Sequence, residues 1–551
     1  MAQEERGGAG GGEVAADPQP PTPHPLQQQE QREDAKLAGT EDAAGSAGEM
    51  AEGASVAAGV VPEGFDLITE GKAGILVHKD ASVFYNKVQV KNRDLSVFVL
   101  NEFAHQLKLE ADMAKRLKAA GSGFRKMPEK NEASEGGDRG GAKSGGSSKG
   151  GSDGYVGLRV MEALSASGLR SCRYWKEVVE GVGLDYIQVN DVEKDAVDSI
   201  KRNKAYNGIT SERFNPTEAD AIVELYKHRG PAEAPKPAPR AKSLCVKQEA
   251  KFRVDKDVFD VVDLDPYGSP SVFLDSAIQA VREGGLLCVT ATDLAALCGK
   301  NPDMCFTRYG AMPFAGSGFC VHEMALRILL GSMEQTANKY NRYLVPLLSV
   351  QMDFYARVFV RVHYSKNEPK RTPCKLAHVY KSRELQSYFL QPLAKLKDNS
   401  KAENHVIKLA SLEVPRACPH TGAPMLIGGP IWTDPIQNMA FVESLRSRFQ
   451  GGPMPNGFDA SKLDAADLVQ GVVSAVAEEL VDVPLERSLP MICKTLHCQV
   501  PSELEFFSAL VNGGYRFSKV LDQAPPSPHK AQGERHERRR KGHGQRARVC
   551  R

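Results

Sequence analysis

Two acidic residues, a proline and an aromatic close an apolar run in DVVDLDPYGSP, residues 260–270. Ligands of open α/β sheets sit at strand ends, so Asp265, Pro266 and Tyr267 form a candidate site. The exocyclic amino group of a nucleobase is a poor nucleophile because its lone pair is delocalised into the ring. A carboxylate and a proline-fixed carbonyl can each accept one amino hydrogen, which favours a more pyramidal nitrogen and gives the departing proton an acceptor. The Tyr267 ring offers a stacking face worth roughly 1–3 kcal/mol per base. Methylation of a base amino group would ask for this set of groups. The tetrapeptide alone would look the same as an ordinary type I turn with proline at its second position.

Such a site needs strands and turns to hold it. GLRVMEALSASGLRSCRYWKEVVEGVG reads as a strand near Leu158–Ala163, a small-residue turn and a helix from about Leu169. LDYIQVNDVEKDAVDSIKRNKAYNG repeats the pattern, with a strand into Asp191 and a helix ending at Asn207 and Gly208. A third unit carries DLDPYGSP, a helix over Ser271–Glu283 and a strand over Leu286–Thr290. This alternation predicts a parallel, doubly wound sheet. YLVPLLSV and DFYARVFVRVHY are close enough for an antiparallel hairpin at its edge.

Two further turns could serve a cofactor. In EALSASGLRS, Ala166, Ser167 and Gly168 allow close approach of the backbone, although the pattern is not GxGxxG and many such turns merely connect a strand to a helix. Arg170 at the helix start opposes the positive end of the helix dipole and predicts an anion nearby. Asp191, about twenty residues on, could accept from ribose hydroxyls or cap the next helix. Asp220 in EADAI could lie near an adenine amino group or in an exposed turn. Hydride chemistry on a Rossmann domain would leave Asp265–Gly268 unexplained and would normally show a fuller glycine fingerprint.

The 551 residues suffice for two or three domains. The net charge of +2 hides a basic cluster at the C-terminus, HKAQGERHERRRKGHGQRARVCR, which could contact phosphates, act as a nuclear address or be a solvated end. Eleven cysteines occur without a CxxC pair or a secretory h-region, which favours a reducing compartment. No apolar run approaches the roughly 20 residues of a membrane-spanning helix, so no membrane partner is expected. Residues 1–60 have few large apolar side chains and are expected to be a disordered tail; insertions at about 121–154 and 230–250 have a similar character.

The ordered motifs EGKAGILV, VFYNKVQVKNRDLSV, EALSASGLRS, VNDVEKDAV, DLDPYGSP, ATDLAALCG, RYGAMP, HEMALRILLG and GGPIWTDPI span about 63–440 and resemble the tRNA (guanine-26, N2) dimethyltransferase family. The resemblance implies a class I, Rossmann-like, seven-stranded methyltransferase domain at 61–365, a smaller α/β tRNA-binding domain at 366–520 and a basic disordered tail at 521–551. It implies two methyl transfers from S-adenosyl-L-methionine to a tRNA guanosine that is flipped from its stack. Arg93, Arg170, Asp191, Asp220 and Ala221 would contact the cofactor, with Arg170 at its methionine carboxylate. Asp265 would be catalytic and Tyr267 would stack on the base, while Pro266, Phe84 and Tyr85 would help form the target pocket. Phe84 and Tyr85 would look the same as ordinary packing aromatics.

Two features depart from the family. Its paired-cysteine zinc site is unmatched: Cys418 and His420 of ACPHTGAP have no paired CxxC elsewhere, CKTLHC reads more naturally as a helix face, and no metal is expected. After GGYRFS, KVLDQAPPSPHKAQ replaces the usual closing segment, which leaves open a binding paralogue with lost turnover. A methyltransferase for another base or an amide amino group is the other alternative. The partner is expected to be tRNA, with no obligate protein partner. RRRK at 538–541 favours the nucleus, and the family also permits mitochondrial or cytoplasmic copies.

Overall fold

The computed structural model describes residues 59–79, 85–121, 157–230, 258–315, 320–397, 406–520 and 546–550. All of them belong to one compact unit, Ser55–Arg551. Phe84, RRRK and most of the expected tail and insertions lie outside the described residues.

A short hairpin of β1 (Phe65–Glu70) and β2 (Ala73–His78) precedes the long helix α1 (Val90–Gly121). The alternating units follow: β3 (Leu158–Glu162), α2 (Leu169–Glu177), β4 (Leu184–Asp191), α3 (Lys194–Tyr206), β5 (Phe214–Glu218) and α4 (Ala221–Lys227). After β6 (Phe259–Leu264) come α5 (Leu274–Ala280), β7 (Val281–Ala291), α6 (Leu294–Leu297), α7 (Pro302–Tyr309) and α8 (Val321–Asn338). The strands β8 (Arg342–Met352) and β9 (Tyr355–Tyr364) form the expected antiparallel hairpin.

The seven-stranded sheet has the order β5-β4-β3-β6-β7-β9-β8. Its first five strands are parallel, and β9 runs antiparallel to β7. The chain winds outward from β3 to β5 and then returns to β6 on the other side of β3. The topological switch point, where ligands bind in such sheets, therefore falls between the ends of β3 and β6. Side chains alternate between two cores, as a two-residue period requires. Val160, Val261 and Leu286 face one cluster, whereas Met161, Val262 and Leu287 face the other.

Beyond β9 lie three small sheets; the first has β10 (Leu376–Ser382), β11 (Tyr388–Pro392) and β14 (Met425–Trp432), and the second β12 (Ala394–Lys397) and β13 (Val406–Leu409). Helices α9 (Met439–Gln450) and α10 (Ala466–Ala477) return to the first core, where Phe441, Leu445, Val469 and Val473 join Phe98 and Phe103 of α1. The last described elements are β15 (Arg487–Ser488), α11 (Leu489–Thr495), α12 (Glu503–Asn512), β16 (Arg516–Lys519) and β17 (Arg546–Cys550).

The expectation of a wholly disordered tail at 521–551 needs correction, because β17 is the middle strand of the sheet β15-β17-β16. Arg548 explains the order: it is buried, with Nη2 3.0 Å from Glu479 Oε2 and 3.5 Å from Glu323 Oε1. A composition rich in arginine does not preclude structure when carboxylates await the charge. Among the described residues, no helix is long and apolar enough to cross a membrane.

Candidate active site

The turn after β3 is held open toward the sheet edge by hydrogen bonds from its neighbours. Ala166 has a left-handed φ of 46° and Gly168 one of 73°. The Ala166 amide donates to Asp191 Oδ2 at 2.7 Å, and Asn190 and Asn203 side-chain amides donate to the carbonyls of Ala163 and Ser167 at 3.1 and 2.8 Å. Asp191 also accepts from the Glu193 amide at 3.1 Å. Its half-buried carboxylate is thus fixed at the end of β4 without capping α3. Asp220 is exposed and does cap α4, accepting from the Val223 amide at 2.9 Å; Ala221 is the buried first residue of that helix.

Asp265 lies just past β6, and its Oδ2 accepts from Arg170 Nη2. The same guanidinium donates from Nη1 to Ser96 Oγ at 3.1 Å, places Nε 3.3 Å from Glu162 Oε1, and has Nη1 3.7 Å from Asp263 Oδ2. The anion that the helix start predicted for Arg170 is therefore supplied, in this structure, by the chain's own Asp265 and Asp263. Pro266 is buried, whereas Tyr267 is 73% exposed.

Beneath Asp265 lies a buried layer of paired charge. Arg357 of β9 makes a two-pronged contact with Asp263, Nη1–Oδ1 at 2.8 Å and Nη2–Oδ2 at 3.0 Å, and Tyr174 donates to Asp263 Oδ2 at 2.6 Å. Burial alone would raise the Asp263 carboxyl, but Arg357 and Arg170 outweigh it and hold the group below the usual carboxylate range. Glu162 behaves in the opposite way: desolvation pushes it up to about 8 despite Arg170 and the Ser171 hydroxyl. At neutral pH Glu162 is consequently protonated, and Arg170 and Arg357 balance Asp263 and Asp265. Ser96 of α1 joins the two guanidinium groups, accepting from Arg357 Nη2 at 2.9 Å.

Arg93 and Tyr85 form a separate but neighbouring group. Arg93 grips Glu70 through Nε at 2.7 Å and Nη2 at 2.5 Å, while Tyr85 donates to Glu70 Oε2 at 3.3 Å and lies 5.5 Å below the Arg93 guanidinium. Glu70 also receives Arg173 at 2.7 Å, and this arginine anchors Asp94 at 2.6 Å. The predicted site residues thus fall into three groups: Asp265 and Arg170; Asp191, Asp220 and Ala221 along the β4 and β5 ends; and Arg93 with Tyr85.

Sequence patterning alone gives no role to Glu162, Arg357, Ser96 or Asp263. The signal was present as charged residues within the apolar runs of β6 and β9, since a charge at such a position is almost never buried without a partner. Among the described residues no group of three or more His, Cys, Asp or Glu side chains could hold a metal.

The sequence profile of the N2,N2-dimethylguanosine tRNA methyltransferase family matches residues 64–232 and 242–523. The chain belongs to this family. Family members among its relatives include tRNA (guanine(26)-N(2))-dimethyltransferase 2 of Arabidopsis thaliana, 39% identical over 476 residues and covering 82% of this chain and 74% of the relative. The Homo sapiens tRNA (guanine(26)-N(2))-dimethyltransferase is 36% identical, covering 82% of this chain and 64% of the relative. A solved structure of Trm1 from Pyrococcus horikoshii in complex with S-adenosyl-L-methionine has the same fold, with a TM-score of 0.55 and 23% identity over 83% of this chain and 94% of that one.

Proposed function

We propose that this family member transfers methyl groups from S-adenosyl-L-methionine to the N2 amino group of guanosine 26 in tRNA, giving N2,N2-dimethylguanosine. The observation that carries this reading is the position of Asp265, at the switch point of the sheet and next to Pro266 and an exposed Tyr267. Arg170 engages Asp265 at Oδ2, which leaves Oδ1 to accept an amino hydrogen. The Pro266 carbonyl accepts the other hydrogen, and Tyr267 stacks on the flipped base. With the donor bound, the nitrogen would take up its methyl group and, then positively charged, would release its proton toward Asp265. A second round on the remaining N–H gives the dimethyl product.

The donor supplies an electron-poor methyl carbon on sulfur, and the residues present fit it. The left-handed turn at Ala166 and Gly168 permits close approach of the backbone, and the fixed carboxylate of Asp191 suits a ribose. Asp220 and Ala221 stand at the next strand end for the adenine, with Arg93 and Arg170 as the cationic side chains for the amino-acid end. Tyr85, beside Arg93, is proposed to close the target pocket together with Phe84.

We assign tRNA docking to basic side chains of the methyltransferase domain, 61–365, and of the 366–520 region, through phosphates, so affinity falls as salt rises. RRRK supports a nuclear address, and a Saccharomyces cerevisiae relative, 31% identical, carries "mitochondrial" in its name. Incubation with labelled S-adenosyl-L-methionine and unmodified tRNA, followed by digestion to nucleosides, tests the reaction. Labelled dimethylguanosine is expected; RNA binding without label, or label on another base or on protein, would refute it. Asp265→Ala is expected to abolish turnover while cofactor binding persists, and an undiminished rate would remove Asp265 from the mechanism.

A further inference from the structure

The motifs ATDLAALCG and RYGAMP contribute no group to the chemistry above, yet both touch the DPYG turn. Thr292 follows β7 directly, and its hydroxyl accepts from the Gly268 amide at 2.7 Å while its own amide donates to the Gly268 carbonyl at 3.0 Å. Gly268 has a φ of 77°, so the turn depends on a left-handed residue and on partners that hold it there. One residue on, Ser269 Oγ and Tyr309 Oη share a hydrogen bond at 2.8 Å. Tyr309, buried at the end of α7, donates to Asp293 Oδ1 at 2.8 Å, and Arg308 holds Asp293 Oδ2 at 3.1 Å. The turn that presents the Pro266 carbonyl and the Tyr267 ring is thereby pinned at two successive residues, from two separate elements.

We propose that Thr292 and Tyr309 are positioning residues, a clamp that fixes the angle of the Tyr267 ring toward the target base without touching it. Tyr267 directly precedes Gly268, so the backbone that the clamp fixes also carries its ring. Thr292 acts on the residue directly after Tyr267, and Tyr309 on the residue after that. The proposal rests on the amino-methylation reading of the site. The proposed cofactor side chains sit at the ends of β4 and β5 and on α1, α2 and α4, none of which the clamp holds, so its loss should affect the chemical step and leave donor binding unchanged.

The test compares Thr292→Val, Thr292→Ser and Tyr309→Phe with the wild-type full chain, measuring nucleoside product, S-adenosylhomocysteine affinity and thermal unfolding. Misplacement of reacting groups by about an ångström can cost 10²-fold, so Thr292→Val is expected to lower kcat roughly 10- to 100-fold with cofactor affinity within about twofold, Tyr309→Phe less, and Thr292→Ser to recover most of the rate. The decisive measurement is the double variant with Tyr267→Ala. If the clamp works through that ring, Thr292→Val costs much less when the ring is already gone. An equal cost in both backgrounds, or an undiminished rate in Thr292→Val and Tyr309→Phe, would overturn the proposal. Should Thr292→Val fail to fold, Tyr309→Phe in the same two backgrounds decides the matter. A wild-type chain that makes no methylated nucleoside would instead sink the parent reading.

Discussion

Glu162→Gln tests the charge balance beneath Asp265. In the folded chain, burial raises this carboxyl from 4.5 to about 8, which corresponds to about 5 kcal/mol in all at 1.36 kcal/mol per tenfold change in proton affinity. Between those values the unfolded chain has lost the proton and the folded chain keeps it. Folding therefore takes up a proton, and the wild type loses stability as pH rises from 4.5 to 8, after which the contribution is flat. Glutamine mimics the protonated acid and carries no such dependence. Its stability relative to wild type should consequently grow by about 2–3 kcal/mol between pH 6 and pH 8. The groups facing the carboxyl, Arg170, Ser171, Asp263 and Asp265, are all retained in the variant. Urea unfolding of both proteins at half-unit steps from pH 5.5 to 9 reads the effect directly. Parallel curves for the two proteins would show that Glu162 does not hold its proton near neutrality, and the two-against-two balance around Arg170 would fall with it.

Other perturbations follow from the same contacts. Asp263→Asn leaves Arg357 facing a neutral amide in a fully buried site and should cost about 3–5 kcal/mol in denaturant unfolding. Gly181→Ala combines a left-handed φ of 58° with a Cβ that would stand 2.1 Å from the Ala104 carbonyl oxygen of α1, so its loss in urea stability should exceed the roughly 1–2 kcal/mol of the backbone conformation alone. Tyr267→Ala should lower kcat/KM for tRNA roughly 5- to 150-fold, the equivalent of one lost stack, whereas Tyr267→Phe should stay near wild type. An alanine variant as active as the phenylalanine one would show that the ring does not stack on the base.

Most of the sheet was legible because its apolar strands are separated by turn residues; β5, with Phe214 as its one large apolar side chain, is the exception. β4 ends at Asp191 and α3 ends beside Asn207 and Gly208, as the sequence pattern predicts, and the β8–β9 hairpin pairs as its alternation implies. The helix expected over Ser271–Glu283 is shorter, Leu274–Ala280, because Val281 already pairs with Phe259 across the sheet. Single-chain periodicity cannot see that pairing. The same limit hid β17: nothing local distinguishes RARVC from the basic residues before it, and its order depends on Glu323 and Glu479, far away in sequence.

Residue types at Asp265 and Arg170 were readable, but their mutual contact was not, and that contact changes what each can do. A carboxylate beside an unpaired lysine or arginine at the surface would be screened and free to rotate. Here the guanidinium is itself held by Ser96 and Glu162, so it fixes one carboxylate oxygen in place; in the proposed mechanism the other oxygen is the acceptor. On the proposed reading the carboxylate need not be a strong base, because the proton to be removed belongs to a nitrogen already made acidic by its new methyl group. What the amino group needs before that moment is orientation, and orientation is what a buried lattice of paired charges provides.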